Sequence, residues 1–139
     1  RLARGLLGDP GDAEDAAQEA LVDAWKGRDS FQPGTDLEAW LTTLCLNRCR
    51  MRLRSRKRER SALEGLARGP RPAPGPGVEE AEFRKALAAL PELEREAFLL
   101  IVVQELGSER AGQILGCSAA SARSYLARAR KELLKYLSR

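Results

Sequence analysis

Two sets of cationic side chains carry whatever chemistry this chain performs. The first is Arg48, Arg50, Arg52, Arg54, Arg56, Lys57, Arg58 and Arg60. The second is Arg123, Arg128, Arg130, Lys131 and Lys135, which follow or lie among the small residues Ala119, Ala120, Ser121, Ala122 and Ser124. Guanidinium groups grip phosphate as planar forks and pair with guanine in the major groove. Neither set makes or breaks bonds by itself. The chain has no histidine, so the commonest acid–base residue is missing. No glycine-rich phosphate loop and no Ser/His/Asp set is present. The residue types therefore point to nucleic-acid binding and away from an enzyme, with no cofactor and no metal expected. Cys45 and Cys49 stand one helical turn apart, but a shared metal needs further ligands that are not evident. Small core residues are the simpler reading.

The composition says which elements must position these cations. The chain has 139 residues, 43% hydrophobic, 32% charged and only 5% aromatic, which suits small helical domains. Net charge is a mild +4, but the charges are segregated. Asp and Glu crowd residues 9–23 and Arg crowds 48–60, which suggests one surface for a basic partner and another for an acidic polymer. Three cysteines and no signal peptide argue for a reducing cytoplasm. No apolar run is long enough to span a membrane. The first residue is Arg1, so the chain reads as a piece that something helical preceded.

Periodicity and punctuation place the helices. Residues 1–7 read as a helix tail and Gly8-Asp9-Pro10-Gly11 as a turn. Asp12 is the expected N-cap of a helix over 13–26, with Ala17, Leu21, Ala24 and Trp25 inward and Asp15, Gln18, Glu19 and Asp23 outward. After a loop through Pro33-Gly34, Thr35-Asp36-Leu37-Glu38 reads as a capping box. The helix it opens should run to about Arg58, buried along Leu37, Leu41, Leu44, Cys45 and Cys49, with its arginine end in solvent or on phosphate. Residues 61–77, with GPRPAPGPG, read as a linker. It separates a first domain over 1–60 from a second over 78–139. In the second, helices are expected over 79–90, from Pro91 to about Gln104, over 109–115 and over 119–137. The last two, joined by Gly116-Cys117-Ser118 with Ser118 as cap, form a helix-turn-helix whose second helix suits the major groove. The expected fold is all-α, with two small helical domains.

DAEDAAQEALVDAW (12–25), FQPGTDLEAWL (31–41) and Asn47 with its following Arg run resemble the second conserved region of bacterial RNA polymerase sigma factors. The closest group is the small two-domain extracytoplasmic-function type. LPELEREAFLL (90–100) and ILGCSAASARSYLARARKEL (114–133) resemble its fourth conserved region. Some positions depart from the family pattern. Met51 stands where Asp is usual, Ala111 replaces a large aliphatic, Gly112 lies inside a helix, and Tyr125 sits where a basic residue is frequent. On helix propensity alone Gly112 costs about 1 kcal/mol relative to Ala and loosens the first helix of the motif.

The resemblance implies a specificity subunit that brings core polymerase to promoters. Asp15, Gln18 and Glu19 would dock on the β′ clamp, with Ala16 and Ala20 allowing close approach. Phe31, Trp40, Asn47, Arg48, Arg50, Arg54, Lys57 and Arg58 would handle the minus-ten element, capturing an unstacked base and gripping the backbone. Ser118, Ser121, Arg123, Ser124, Arg128 and Arg130 would read the minus-thirty-five element. Implied partners are core polymerase at the β′ clamp and β flap, promoter DNA and an anti-sigma factor, with no membrane. The competing reading is a sigma-like or helix-turn-helix regulator that acts without promoter melting.

Overall fold

A computed structural model describes residues 1–63 and 78–137. Most of the expected linker, including its alternating Pro and Gly, lies outside the described residues; 61–63 continue a helix. Among the described residues the fold is helical without strands: α1 (Leu2–Leu7), α2 (Pro10–Lys26), α3 (Leu37–Leu63), α4 (Val78–Ala89), α5 (Glu92–Phe98), a π-helical segment (Leu99–Val103), α6 (Ser108–Leu115) and α7 (Ala119–Leu137). A short 3-10 turn, Arg28–Ser30, follows α2.

The first body is α1, α2 and α3. Gly8 turns the chain at a φ of 78°. Asp9, not Asp12, caps α2: its carboxylate accepts the Asp12 N–H at 3.3 Å. Pro10 then fills the first helical position, where its missing N–H is no loss. Moving the start forward frees Asp12 for arginines on α3. The expected inward face of α2 is also corrected. Ala13, Ala16 and Ala20 are buried, whereas Leu21 and Trp25 are 63% and 68% exposed. Small residues let α2 lie close along α3, and the large apolar side chains are turned outward. At α3 the cap is Asp36, whose Oδ1 accepts the Ala39 N–H at 3.2 Å; the Thr35 hydroxyl instead donates to the Gln32 carbonyl at 2.6 Å. The buried line of α3 is Ala39, Leu46 and Cys49, with Leu37 exposed and Leu41, Leu44 and Cys45 half-buried.

The second body packs α4, α5 and α6 around α7. Ala86, Leu87, Leu90, Leu99 and Leu100 share one buried cluster with Ala129 and Leu133, and Ala97 and Leu126 are buried too. The apolar run 97–103 leaves α-helical geometry at its end. The Gln104 N–H reaches the Leu99 carbonyl at 2.9 Å, and Glu105 then takes a left-handed φ of 57° that stops the helix. Gly116, at φ 75°, forms the tight turn of the helix-turn-helix, and the Ser118 hydroxyl accepts the Ser121 N–H at 3.0 Å as expected.

Gly112 is a close-approach position. A Cβ there would lie 2.7 Å from the Cys117 carbonyl oxygen and 3.1 Å from Ser118 backbone. Ala111 beside it is fully buried. These two departures from the family pattern pack α6 tightly on the turn instead of loosening it.

Candidate nucleic-acid interface

Spacing of four residues puts Arg48, Arg52 and Arg56 on one face of α3, and that face lies against the acidic edge of α2. Arg48 donates through Nε and Nη2 to both carboxylate oxygens of Asp23 at 2.6 and 2.7 Å, and approaches Glu19 at 3.4 Å. Arg52 pairs with Glu19 and lies 3.8 Å from Asp12. Arg56 pairs with Asp12 and donates to the Leu7 carbonyl at 2.9 Å. The hydrogen bonds from Arg48 hold the Asp23 carboxyl below its ordinary range. Of the segregated charges expected to serve different partners, Asp12, Glu19 and Asp23 instead neutralise Arg48, Arg52 and Arg56 within one domain.

The neighbouring face is engaged too. Arg50 forms a two-pronged pair with Glu96 of α5 at 2.5 and 2.9 Å, and Arg54 comes within 3.8 Å of Glu92. Asn47, Lys57, Arg58 and Arg60 are exposed along α3. Beside this helix, Phe31 and Trp40 meet with ring centroids 5.2 Å apart and planes inclined at 47°. Both are half-buried. The loop aromatic and the helix aromatic form one tilted pair at the mouth of the 31–36 loop.

On α2, Asp15 and Gln18 are exposed, whereas Glu19 is half-buried in its arginine pairs. Ala16 and Ala20 are not open to a partner; they face the protein's own core. Sequence periodicity missed Leu21, Val22 and Trp25, which stand outward beside the acids. Their signal was present in the all-alanine register 13, 16 and 20. The Arg28 guanidinium lies 4.1 Å over the Trp25 ring.

On α7, Ala122, Leu126 and Ala129 face inward, and Ala120, Arg123, Ser124, Arg128 and Arg130 face outward. Arg123 donates to the Ser108 hydroxyl at 3.1 Å, which steadies it at the start of the helix. Ser118 and Ser121 are hydrogen-bonded to each other at 3.0 Å, with Ser118 serving as cap. The Arg128 guanidinium lies 5.9 Å from the Tyr125 ring. No acidic side chain pairs with Arg123, Arg128 or Arg130 among the described residues. Cys45 and Cys49 are free thiols; the hydrogen bond between them lowers Cys45 to about 7 and raises Cys49.

A two-part helical chain ending in a helix-turn-helix with an uncompensated basic edge defines a DNA-binding transcription protein. Residues 1–59 match the family described as Sigma-70 region 2, and residues 80–133 match Sigma-70, region 4. The chain is 39% identical to the ECF RNA polymerase sigma factor EcfG of Rhodopseudomonas palustris (strain TIE-1), over 95% of this chain and 75% of that protein. Its fold matches the sigma factor RpoE, solved in complex with the anti-sigma factor NepR from Bartonella quintana, with a TM-score of 0.78 and 34% identity, over 99% of this chain and 88% of that one. It also matches CnrH, solved with the cytosolic domain of CnrY, with a TM-score of 0.74 and 27% identity, over 99% and 79% of the two chains. The chain belongs to the extracytoplasmic-function group of sigma factors. It directs RNA polymerase to promoters and is not itself a catalyst.

Proposed function

We propose that the two bodies of this sigma factor divide the promoter between them. The first uses the outer face of α2, at Asp15 and Gln18 with Leu21, Val22 and Trp25, to hold the β′ clamp. A few exposed apolar groups among acids fit a basic partner with an apolar centre, the acids steering encounter and the apolar groups adding affinity. The Phe31–Trp40 pair offers a stacking surface for an unpaired base of the minus-ten element, and Asn47, Lys57 and Arg58 lie along the path of its backbone. The second body reads the minus-thirty-five element with Ser121, Arg123, Ser124, Arg128 and Arg130, and meets the β flap. This work belongs in the cytoplasm, where polymerase is. The similar sigma factor RpoE is solved with the anti-sigma factor NepR, and an anti-sigma partner is proposed here as well.

The observation that carries this reading is the contrast between the helices. Arginines at 48, 52 and 56 are neutralised within the protein, whereas the outward arginines of α7 are not. Transcription by core polymerase plus this chain on a randomised promoter library tests it. Starts at a defined distance from a two-part motif are expected. Specific binding to free duplex with no polymerase-dependent starts would favour a regulator that does not melt DNA.

A further inference from the structure

We infer, on the minus-ten reading proposed above, that Met51 is a specificity-determining residue whose side chain reads the methyl group of a thymine in the unpaired promoter strand. Trp40, Asn47, Met51, Arg54 and Arg58 fall along one face of α3, because each step between them is close to a whole number of helical turns. At 1.5 Å per residue that face is about 27 Å long. Its near end holds the Phe31–Trp40 ring pair. From Asn47 onward the face is open, with Asn47, Met51, Arg54 and Arg58 all exposed. Met51 is 54% exposed, and past Leu37 no other large apolar side chain of α3 is turned outward among the described residues. A lone exposed apolar residue is ordinary on a protein surface. The place of this one is not ordinary. It lines a concavity of about 480 Å³ together with Arg48, Arg52, Arg54 and Arg58. That volume lies in the range of small-ligand sites.

The surrounding charges suit a nucleotide. Glu19, the acid in the lining, is paired with Arg52, and Arg48 is held by Asp23. Arg58 is exposed, and Arg54 is 61% exposed with only a 3.8 Å approach to Glu92. These two cations are placed for phosphate, and the thioether between them and Asn47 is placed for a base. Chemistry then selects the base. A thioether donates no hydrogen bond and accepts only weakly, so it cannot satisfy the polar edges of adenine, guanine or cytosine. Of the four bases only thymine carries a methyl group on its edge. The polarisable sulfur also packs well at the rim of an aromatic ring. An Asp at this position, as in the usual family pattern, would stand three residues from Arg54, compete for that cation and repel phosphate. Met51 leaves Arg54 to the backbone and offers an apolar contact instead.

The test uses the full chain with core polymerase on a promoter selected from the randomised library. Each thymine of the minus-ten element is replaced in turn by uracil, which removes only the methyl group. In wild type one such replacement should lower open-complex formation about fourfold, the effect expected of one buried methyl group. Met51→Gln keeps the length and helix propensity of the side chain and should abolish that sensitivity. Met51→Leu should retain most of it. Asn47→Ala and Arg58→Ala should weaken open-complex formation while leaving the uracil effect in place. Wild type indifferent to every uracil, or Met51→Gln as sensitive as wild type, would overturn the assignment of Met51 while the effects at Asn47 and Arg58 stand. Open-complex formation unchanged in both Asn47→Ala and Arg58→Ala would strike the minus-ten reading of α3 itself, and the role of Met51 with it.

Discussion

Gly112 marks the difference between a propensity and a fit. In an exposed helix, alanine would gain about 1 kcal/mol over glycine. Here the added methyl meets the Cys117 carbonyl oxygen at 2.7 Å, and a backbone atom in a tight turn has little room to yield. Overpacking of this kind costs about 1–3 kcal/mol. Gly112→Ala should therefore lower the thermal midpoint, and a higher midpoint would show that the turn moves freely. Arg123 is the opposite case, an exposed residue whose value lies in a contact outside the chain. Arg123→Ala should leave stability unchanged and flatten preference at one upstream base pair, a loss of about 1–3 kcal/mol of discrimination, read as a changed sequence logo. Single residues were legible where the signal is local. Ser118 as cap follows from its place after Gly116. Asp9 and Asp36 were missed because a cap-type residue stood nearby in each case, at Asp12 and Thr35. The choice between them depends on where the backbone turns helical, and Pro10 and the Pro33-Gly34 loop settle that in three dimensions.

Between helices, the α2–α3 ladder decides what the charges are for. Asp23 is held below its ordinary value of 3.8 by Arg48, so its contribution to stability is complete above that value and fades as pH falls through the lower folded one. Asp23→Asn should reduce stability near neutral pH and flatten the acid limb of the stability curve. Denaturant titrations across the acid range would show both, and the difference should shrink in high salt. Identical acid limbs would remove this pair from the account. The ladder also identifies a clean probe of polymerase docking. Reversing Glu19 would break its pairs with Arg52 and Arg48, whereas Asp15 is exposed and forms no ion pair among the described residues. Asp15→Lys should weaken core binding several-fold with helical content intact; unchanged binding would take this face of α2 out of the interface. The existence of α2, α3 and α7 was readable from periodicity and capping. Their rotation was not: Ala13, Ala16 and Ala20 compete with Leu21 and Trp25 for the inside, and the close approach of α3 decides for the small residues.

At the scale of the whole chain, two helical bodies follow from the order of the sequence motifs, but the seam between them does not. Nothing local marks Gly5 as the seat of Leu99 or Glu96 as the partner of Arg50, because each contact joins residues far apart in the chain. Arg50 is where sequence and structure make opposite demands. The basic run assigns its positive charge to the promoter backbone, whereas in the fold that charge satisfies a carboxylate with no exposure to water. Arg50→Gln leaves the carboxylate without its cation. The thermal midpoint should therefore fall, and the log–log salt slope of promoter binding should stay as in wild type. A phosphate contact predicts the reverse: an unchanged midpoint, and a slope reduced by about 0.7 if the contact is to single-stranded DNA and about 0.9 if to duplex. Measuring the midpoint without DNA and the salt slope with it separates the two cases, and a reduced slope would return Arg50 to the promoter.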